Sequence, residues 1–473
     1  MKQNRIQLNM PKMTLKEKFI GDKAFYIMVL GIILPMIIQN TITNLVNMLD
    51  NIMVGRVGTE QMSGVAIANQ IFFIYMLAIF GGLGGIGIFT AQYYGKGDLE
   101  VLRISVRAKL WLGVLLSVIA VMVFTFFGEP LLKLYLNDDA KDAVALTLQS
   151  GLSYLKILMI GFPGIVLVNV YASTLRECGE TKVPMAAGIA AVFVNLIFNY
   201  LLIYGKFGFP KLGVSGAAIA TVIARYVEAS IILIWAHRHT ESQPWVKKLY
   251  SSLRVPGKNL KAFVIKGTPL LANEVLWSTA MAMLTQCYSL RGLNVVAAFN
   301  ISNTLNNLGN VFFLSMGSAV SIIVGQKLGA GDLEGAKDYD NKIIAFSVMI
   351  SFISMAFLLI CSGFFPNFYN TNEEARSLAT RLIRIYALFT PINAFVNVAY
   401  FTLRSGGKTI ITFIFDSAYL WVISYPVCFI LTRFTDMHVT GVYAIICACD
   451  LIKCVIGVVM IKKNIWIQNI VND

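Results

Sequence analysis

The sequence predicts an all-α polytopic membrane protein of about twelve transmembrane helices, arranged as two six-helix bundles. Three observations predict it. Of 473 residues, 57% are hydrophobic and only 14% charged, whereas soluble domains carry about a quarter charged residues. Apolar runs of the ~20 residues that a bilayer requires recur from end to end. The second half also repeats the first.

Spans are expected at 24–50, 62–88, 104–127, 146–172, 184–204, 214–236, 262–288, 295–324, 343–365, 378–403, 409–432 and 439–461. The basic N-terminus (Lys2, Arg5, Lys12, Lys16, Lys18, Lys23) leads into a spanning-length segment, so no cleavable signal peptide is expected. Loops then alternate in character. Lys96 to Lys109, Arg176 to Lys182, Arg238 to Lys266, Lys327 to Lys342, Arg404 to Lys408 and Lys462-Lys463 are basic, while Glu129 to Asp142 and Asn367 to Glu374 are not. The positive-inside rule puts both termini in the cytoplasm. The net charge of +14 is therefore a topology signal and not a nucleic-acid footprint. Seven cysteines fall mostly inside apolar segments without zinc-type spacing and read as small buried hydrophobes. A cytoplasmic basic linker, 237–261, separates an N-terminal lobe, 1–236, from a C-terminal lobe, 262–473.

The halves are copies. Gly95-Lys-Gly-Asp-Leu-Glu100 recurs as Gly329-Ala-Gly-Asp-Leu-Glu334, a shift of 329 − 95 = 234, and Pro35 and Pro269 differ by the same amount. Val168-Asn-Val, Thr174-Leu-Arg, Gly179 and Thr181 recur as Val396-Asn-Val, Thr402-Leu-Arg, Gly407 and Thr409, a shift of 404 − 176 = 228. An even number of helices per repeat makes the copies parallel, which suits a two-lobed transporter with its site between the lobes.

The first span carries Asn40, Thr43, Asn44, Asn47, Asp50 and Asn51. At about 100° per residue these fall within an arc of roughly 120°. Such a stripe must face protein or a water-filled cavity. Asp50 and Glu274 are deep acids, with Asp416 nearer a helix end. Arg225 with Glu228, and Asp450 with Lys453, are equivalent i, i+3 pairs with the charges exchanged, each expected to neutralise itself. Lys156 and Arg384 stand at equivalent positions near span starts, where snorkelling is expected.

With these residues the chain resembles the multidrug and toxic compound extrusion (MATE) family in its bacterial form. The resemblance runs along the whole chain. It rests on Leu34-Pro35 with Asp50-Asn-Ile-Met-Val-Gly55, Ala91-Gln92 with the Gly-x-Gly-Asp loop, Arg176-x-x-Gly-x-Thr181, Pro269-Leu-Leu-Ala-Asn-Glu274 and Arg404-Ser-Gly-Gly-Lys-Thr409. The family implies two bundles that open alternately, in the bacterial cytoplasmic membrane. They export drug-like, often cationic amphipathic compounds, driven by inward flow of H+ or Na+.

The resemblance also implies roles. Asp50 matches the coupling acid of the first helix, and Asn195, Asn199 and Thr221 match its partners, a possible Na+ set of oxygen donors. Asn199 stands where members with a well-formed sodium site have Asp. Glu274 matches the C-lobe acid, where a proton and a cationic drug would compete. Trp277, one turn on, could stack on an aromatic cation. Asn40, Asn44 and Asn47, Asn300 and Asn303 of a second asparagine stripe, and Asp416 complete the expected substrate contacts. A helix-ten acid used by some sodium-coupled members has no counterpart; Tyr386, Thr390, Asn393 and Asn397 occupy that span.

A flippase for a lipid-linked saccharide or cell-wall precursor is the nearest alternative on this architecture. It would call for several cavity Arg or Lys residues, whereas this chain offers carboxylates and amides. A membrane-embedded enzyme would need a catalytic cluster, yet the three His (237, 239, 438) lie in loops and there is no P-loop. A channel fits two fused repeats less well. No cofactor, nucleic acid or obligate protein partner is indicated.

Overall fold

The computed structural model describes residues 15–134, 141–369 and 371–471, and among them every regular element is helical. A short helix, Leu15–Phe19, leads into twelve segments of membrane length. These are α1 Lys23–Gly55, α2 Thr59–Lys96, α3 Leu99–Lys133, α4 (Lys141–Ile160 and Phe162–Glu177), α5 Lys182–Tyr204, α6 Val214–Arg238, α7 Gly257–Ser289, α8 Leu293–Gly329, α9 Leu333–Ser362, α10 Glu373–Ser405, α11 Thr409–Phe434 and α12 Val439–Lys462. Among the described residues ten are individually long and apolar enough to cross a membrane, and α4 makes an eleventh as a pair bent by 54°. Helix α7 is long enough but more polar, because Asn273 and Glu274 interrupt its apolar run.

Local chemistry explains the breaks. Helix α4 bends at Gly161, where Pro163 removes a backbone donor. Helix α11 widens into π-helical turns at Ile414–Ala418 and Leu420–Ser424, just before Pro426. The repeated Gly-x-Gly-Asp motif is a helix stop and restart. Gly97 and Gly331 both adopt φ +79°, a left-handed conformation that favours glycine. Asp98 and Asp332 then cap the next helix, accepting from Val101 N at 3.1 Å and Gly335 N at 2.9 Å. The first glycine of each copy serves packing instead. A Cβ on Gly95 would collide with the Gln326 carbonyl, and one on Gly329 with the Gln92 carbonyl. Because 326 − 92 = 234, the two halves meet here through equivalent residues.

One apolar core spans Val54 to Leu249, and a second is built around α8, α10 and α12. Two packing features bear on the division into halves. The first half of α1 (Phe25, Val29, Ile32, Ile33, Met36) packs into the second core and not the first. The linker is not a free tether either. Trp245 is fully buried in the first core, and Arg103, Arg107 and Trp111 of α3 hold the carbonyls of Trp245, Leu249 and Leu253 at 3.2, 2.7 and 2.9 Å. Helix α7 accordingly starts at Gly257.

The halves close on each other at the end that carries the basic loops. Gln92 donates to the Ser405 and Gln468 carbonyls at 3.0 and 3.4 Å and accepts from Ile470 N at 3.0 Å, while Lys96 donates to the Val471 carbonyl at 2.8 Å. Segment 463–471 thus lies as a strap across the seam, anchored by the buried Trp466. Toward the opposite end α2 and α7 part around a cleft of about 590 Å³, lined by Asn69, Gln70, Phe73, Val275 and Thr279 among others.

Candidate functional site

Near the far end of α1, Asp50 meets α5 and α6. Asn195 and Asn199 stand one turn apart on α5, so their amides share a face. Asn199 Nδ2 donates to Asp50 Oδ1 at 2.7 Å and to Asn195 Oδ1 at 3.0 Å. Asn195 Nδ2 is 3.3 Å from Thr221 Oγ1 on α6. With the Asn195 amide turned the other way, its nitrogen donates to Asp50 Oδ2 at 2.8 Å and its oxygen accepts from Thr221. All four residues singled out in sequence for the N-lobe therefore form one cluster. Asn199 Oδ1 is buried without a hydrogen-bond partner. Asn199 presents its nitrogen to Asp50 and Asn195 in this arrangement, and turning that amide would bring the spare oxygen beside the carboxylate, the Asn195 amide and the Thr221 hydroxyl, a set of the kind hard cations take. No three His, Cys, Asp or Glu side chains converge among the described residues, so the set is one carboxylate plus neutral oxygens.

The cluster borders a cavity of about 540 Å³ that also exposes Asn69, Tyr154 and Asn169. Tyr154 neighbours Asn69, Thr221 and Asp50. Sequence reasoning missed these three, although Asn169 lies inside the repeated Val-Asn-Val motif and was legible as a polar residue mid-span. The cavity shares Ala66 and Asn69 with the α2–α7 cleft, so the two adjoin across α2. At its rim Arg225 is neutralised by Glu228 at 2.5 Å, as the spacing predicts.

The second cluster joins α7, α10, α11 and α12. Asn273 Nδ2 donates to Asp416 Oδ2 at 3.0 Å, and Lys453 Nζ lies 2.7 Å from Asp416 Oδ1. Ser417 Oγ donates to Asn273 Oδ1 at 2.7 Å. Tyr400 OH donates to Glu274 Oε1 at 3.2 Å and sits 3.4 Å from Asn273 Nδ2. Lys453 thus pairs with Asp416 across two helices, not with Asp450 on its own helix as the i, i+3 spacing suggests. Asp416 is an ion-pair partner here and not a lone helix-end acid. The π-helical turns of α11 surround it. Glu274 is 9% exposed and packed against Gly81 of α2, so it lies in the seam between the halves and not in the open cleft.

Other candidates disperse. Trp277 is 36% exposed and, at about 100° per residue, points away from the face of α7 on which Val275, Ser278, Thr279 and Ala282 line the cleft. Asn40 is exposed and Asn44 half-buried. Both continue the α1 face that packs through Phe25, Val29 and Met36 nearer the basic end. The Asn47 side chain lies outside the described ones. Asn300 and Asn303 are exposed on α8. Asn300 shares the side of Gly325 and Gly329, which pack against Ala91 and Gln92. Lys156 and Arg384 are exposed, as snorkelling requires.

The MatE family profile matches residues 35–201 and again 269–430. Relatives include the "Probable multidrug resistance protein NorM" of Thermotoga maritima, 25% identical over 421 residues that cover 87% of this chain and 86% of that protein. Another is the "Multidrug resistance protein PmpM" of Pseudomonas aeruginosa, 27% identical over 394 residues, 83% of this chain and 81% of that one. Among solved structures, the "Outward-facing conformation of a multidrug resistance MATE family transporter of the MOP superfamily" superposes with a TM-score of 0.82 at 20% identity, covering 96% of this chain and 98% of that chain. At that identity the likeness shows the fold. The two profile matches begin at the repeated prolines, 269 − 35 = 234 residues apart, and together span most of both halves: the chain belongs to the MatE family, whose members are transporters and not enzymes.

Proposed function

We propose that this protein is a secondary antiporter that exports drug-like, often cationic amphipathic compounds by alternating access, driven by H+ or Na+ entering the cell. The observation that carries the reading is the Asp50 cluster, a carboxylate with three neutral hydrogen-bonding side chains bordering a cavity that adjoins the cleft between the halves. The end that carries the basic loops is cytoplasmic in this reading, with both termini on that side. The conformation then faces outward. Asp50, Asn195, Asn199 and Thr221 would hold the entering ion. Glu274 is the second group whose charge responds to ion or substrate. Closing the gap and parting the strapped seam would carry these sites to the cytoplasmic side.

The name of the Pseudomonas relative, a multidrug resistance protein, supports the substrate class. Expression in a drug-sensitive bacterial host is expected to raise resistance to cationic dyes, and Glu274→Gln to abolish it with protein still in the membrane. Unaltered resistance in the variant would remove Glu274 from the mechanism. Dye-loaded proteoliposomes under separate sodium and proton gradients assign the ion. Normal exchange by Asp50→Asn under both gradients would overturn the role given to the N-lobe cluster.

A further inference from the structure

The run Gly81-Gly-Leu-Gly-Gly-Ile-Gly87 of α2 serves neither a turn nor the cavities above. Gly81, Gly84 and Gly87 recur every three residues, so they lie along one side of the helix. Each receives a charged side chain from a different helix. A Cβ on Gly81 would stand 2.7 Å from Glu274 Cγ of α7; on Gly84 it would collide with Arg404 Nη2 of α10, and on Gly87 with Glu177 Oε1 of α4. The order along α2 is acid, base, acid. Lys109 of α3, fully buried, extends it with Nζ 2.5 Å from Glu177 Oε2. Lys109 and Glu177 belong to the first half, Arg404 and Glu274 to the second.

Arg404 links the two. It is 6% exposed, between the rings of Phe80 and Phe401, with its guanidinium carbon 5.7 and 5.5 Å from the centroids. With Glu177, Ser321 and Ser405 it walls a cavity of about 60 Å³ inside the seam. Its Nη1 is buried without a hydrogen-bond partner. Both acids have it as a charged neighbour. The other polar groups that face Glu274 are Tyr400 of α10, Asn273 of its own helix and Asp416 of α11, while α2 presents glycine.

We propose that Arg404 is the positioning residue through which the charge on Glu274 controls closure of the seam. With Glu274 ionised the ladder holds two acids and two bases, flanked by Asp416 with its partner Lys453 beside Glu274 and by Arg176 with Glu228 beyond Glu177. With Glu274 neutral, a buried excess positive charge remains, which is costly and is relieved when the halves part and water reaches the guanidinium. Neutralising Glu274 therefore unlocks the basic end. The inference rests on the reading of Glu274 as a group that changes charge during transport.

The test is a double-mutant cycle on the full chain. Spin labels on cysteines introduced at the exposed Lys182 and Glu334, in a background lacking the seven native cysteines, report the distance between the halves at the basic end. Glu274→Gln is expected to raise the ratio of open to closed molecules about fivefold or more, within the usual range of coupling between sites. In an Arg404→Gln background, Glu274→Gln is expected to add nothing. Arg404→Lys keeps a charge in the seam, gives a second arm should the neutral variant fail to fold, and is expected to retain at least half of the response. A response of equal size with and without Arg404, or lost in Arg404→Lys, overturns the proposal. If Glu274→Gln moves nothing in the native background, the reading of Glu274 falls first and the role of Arg404 with it.

Discussion

Asn199→Asp would convert the N-lobe cluster from one carboxylate to two. Asn199 is 1% exposed, and its Nδ2 lies 2.7 Å from Asp50 Oδ1. The substitution replaces that donor with an acceptor at nearly the same point. Two carboxylates with charge centres about 4 Å apart repel by about 4 kcal/mol at an effective dielectric of ~20. At 1.4 kcal/mol per tenfold, that is roughly three powers of ten in preference for a bound cation. Asn195 Oδ1 and Thr221 Oγ1 remain to complete the oxygen set, so Na+ affinity is expected to rise by about two to three powers of ten. The assay is the melting temperature of purified protein titrated with NaCl against choline chloride. Ligand at 100 times its dissociation constant stabilises by about 2.7 kcal/mol, enough for a shift of several degrees. The shift is expected at far lower sodium in Asn199→Asp than in the native protein, and is expected to vanish when Asp50→Asn is added. A variant no more responsive to sodium than the native protein would refute the assignment of these oxygens to one site.

Two further outcomes follow from packing. Lys109→Met takes from the Glu177 carboxylate its ion-pair partner and leaves Arg404 and Arg176 as charged neighbours, a loss toward the low end of the ~3–5 kcal/mol for breaking a buried pair; the melting temperature is expected to fall and to recover in part in Lys109→Met with Glu177→Gln, and equal melting of the two variants would contradict it. Gly85→Val drives a side chain into Gly267 of α7, so a thiol placed at the buried Ala91 is expected to react about tenfold faster once the halves cannot close, judged against the ~1–3 kcal/mol usual for overpacking; unchanged reactivity would show that the seam yields elsewhere.

Helix number, the repeat and the capped glycine turns were legible because each leaves a local mark: length, hydropathy, spacing. The Asp50 cluster was legible only through the family resemblance, which matched Asn195, Asn199 and Thr221 to the partners of the first-helix acid; no local spacing links α1 to α5 and α6. The partners of the second half's acids were not. Spacing within α12 pointed Lys453 to Asp450, but an i, i+3 pair competes with every helix that packs alongside, and Asp416 is 37 residues earlier. Glu177 escaped notice because it sits at the end of a span in a basic stretch, where a solvated loop is the usual reading. Its burial comes from α2 and α3 closing over it, which no local pattern encodes. The glycines of α2 were visible as letters, but their meaning depended on three side chains delivered from α4, α7 and α10.

The strap across the seam has its own consequence. The amide hydrogen of Ile470 belongs to the second half and its acceptor, Gln92 Oε1, to the first. While they stay joined, that proton is shielded from water; once the halves separate at this end, it is free to exchange. The exchange rate of one backbone proton near the end of the chain therefore reports how often the seam opens at the basic end.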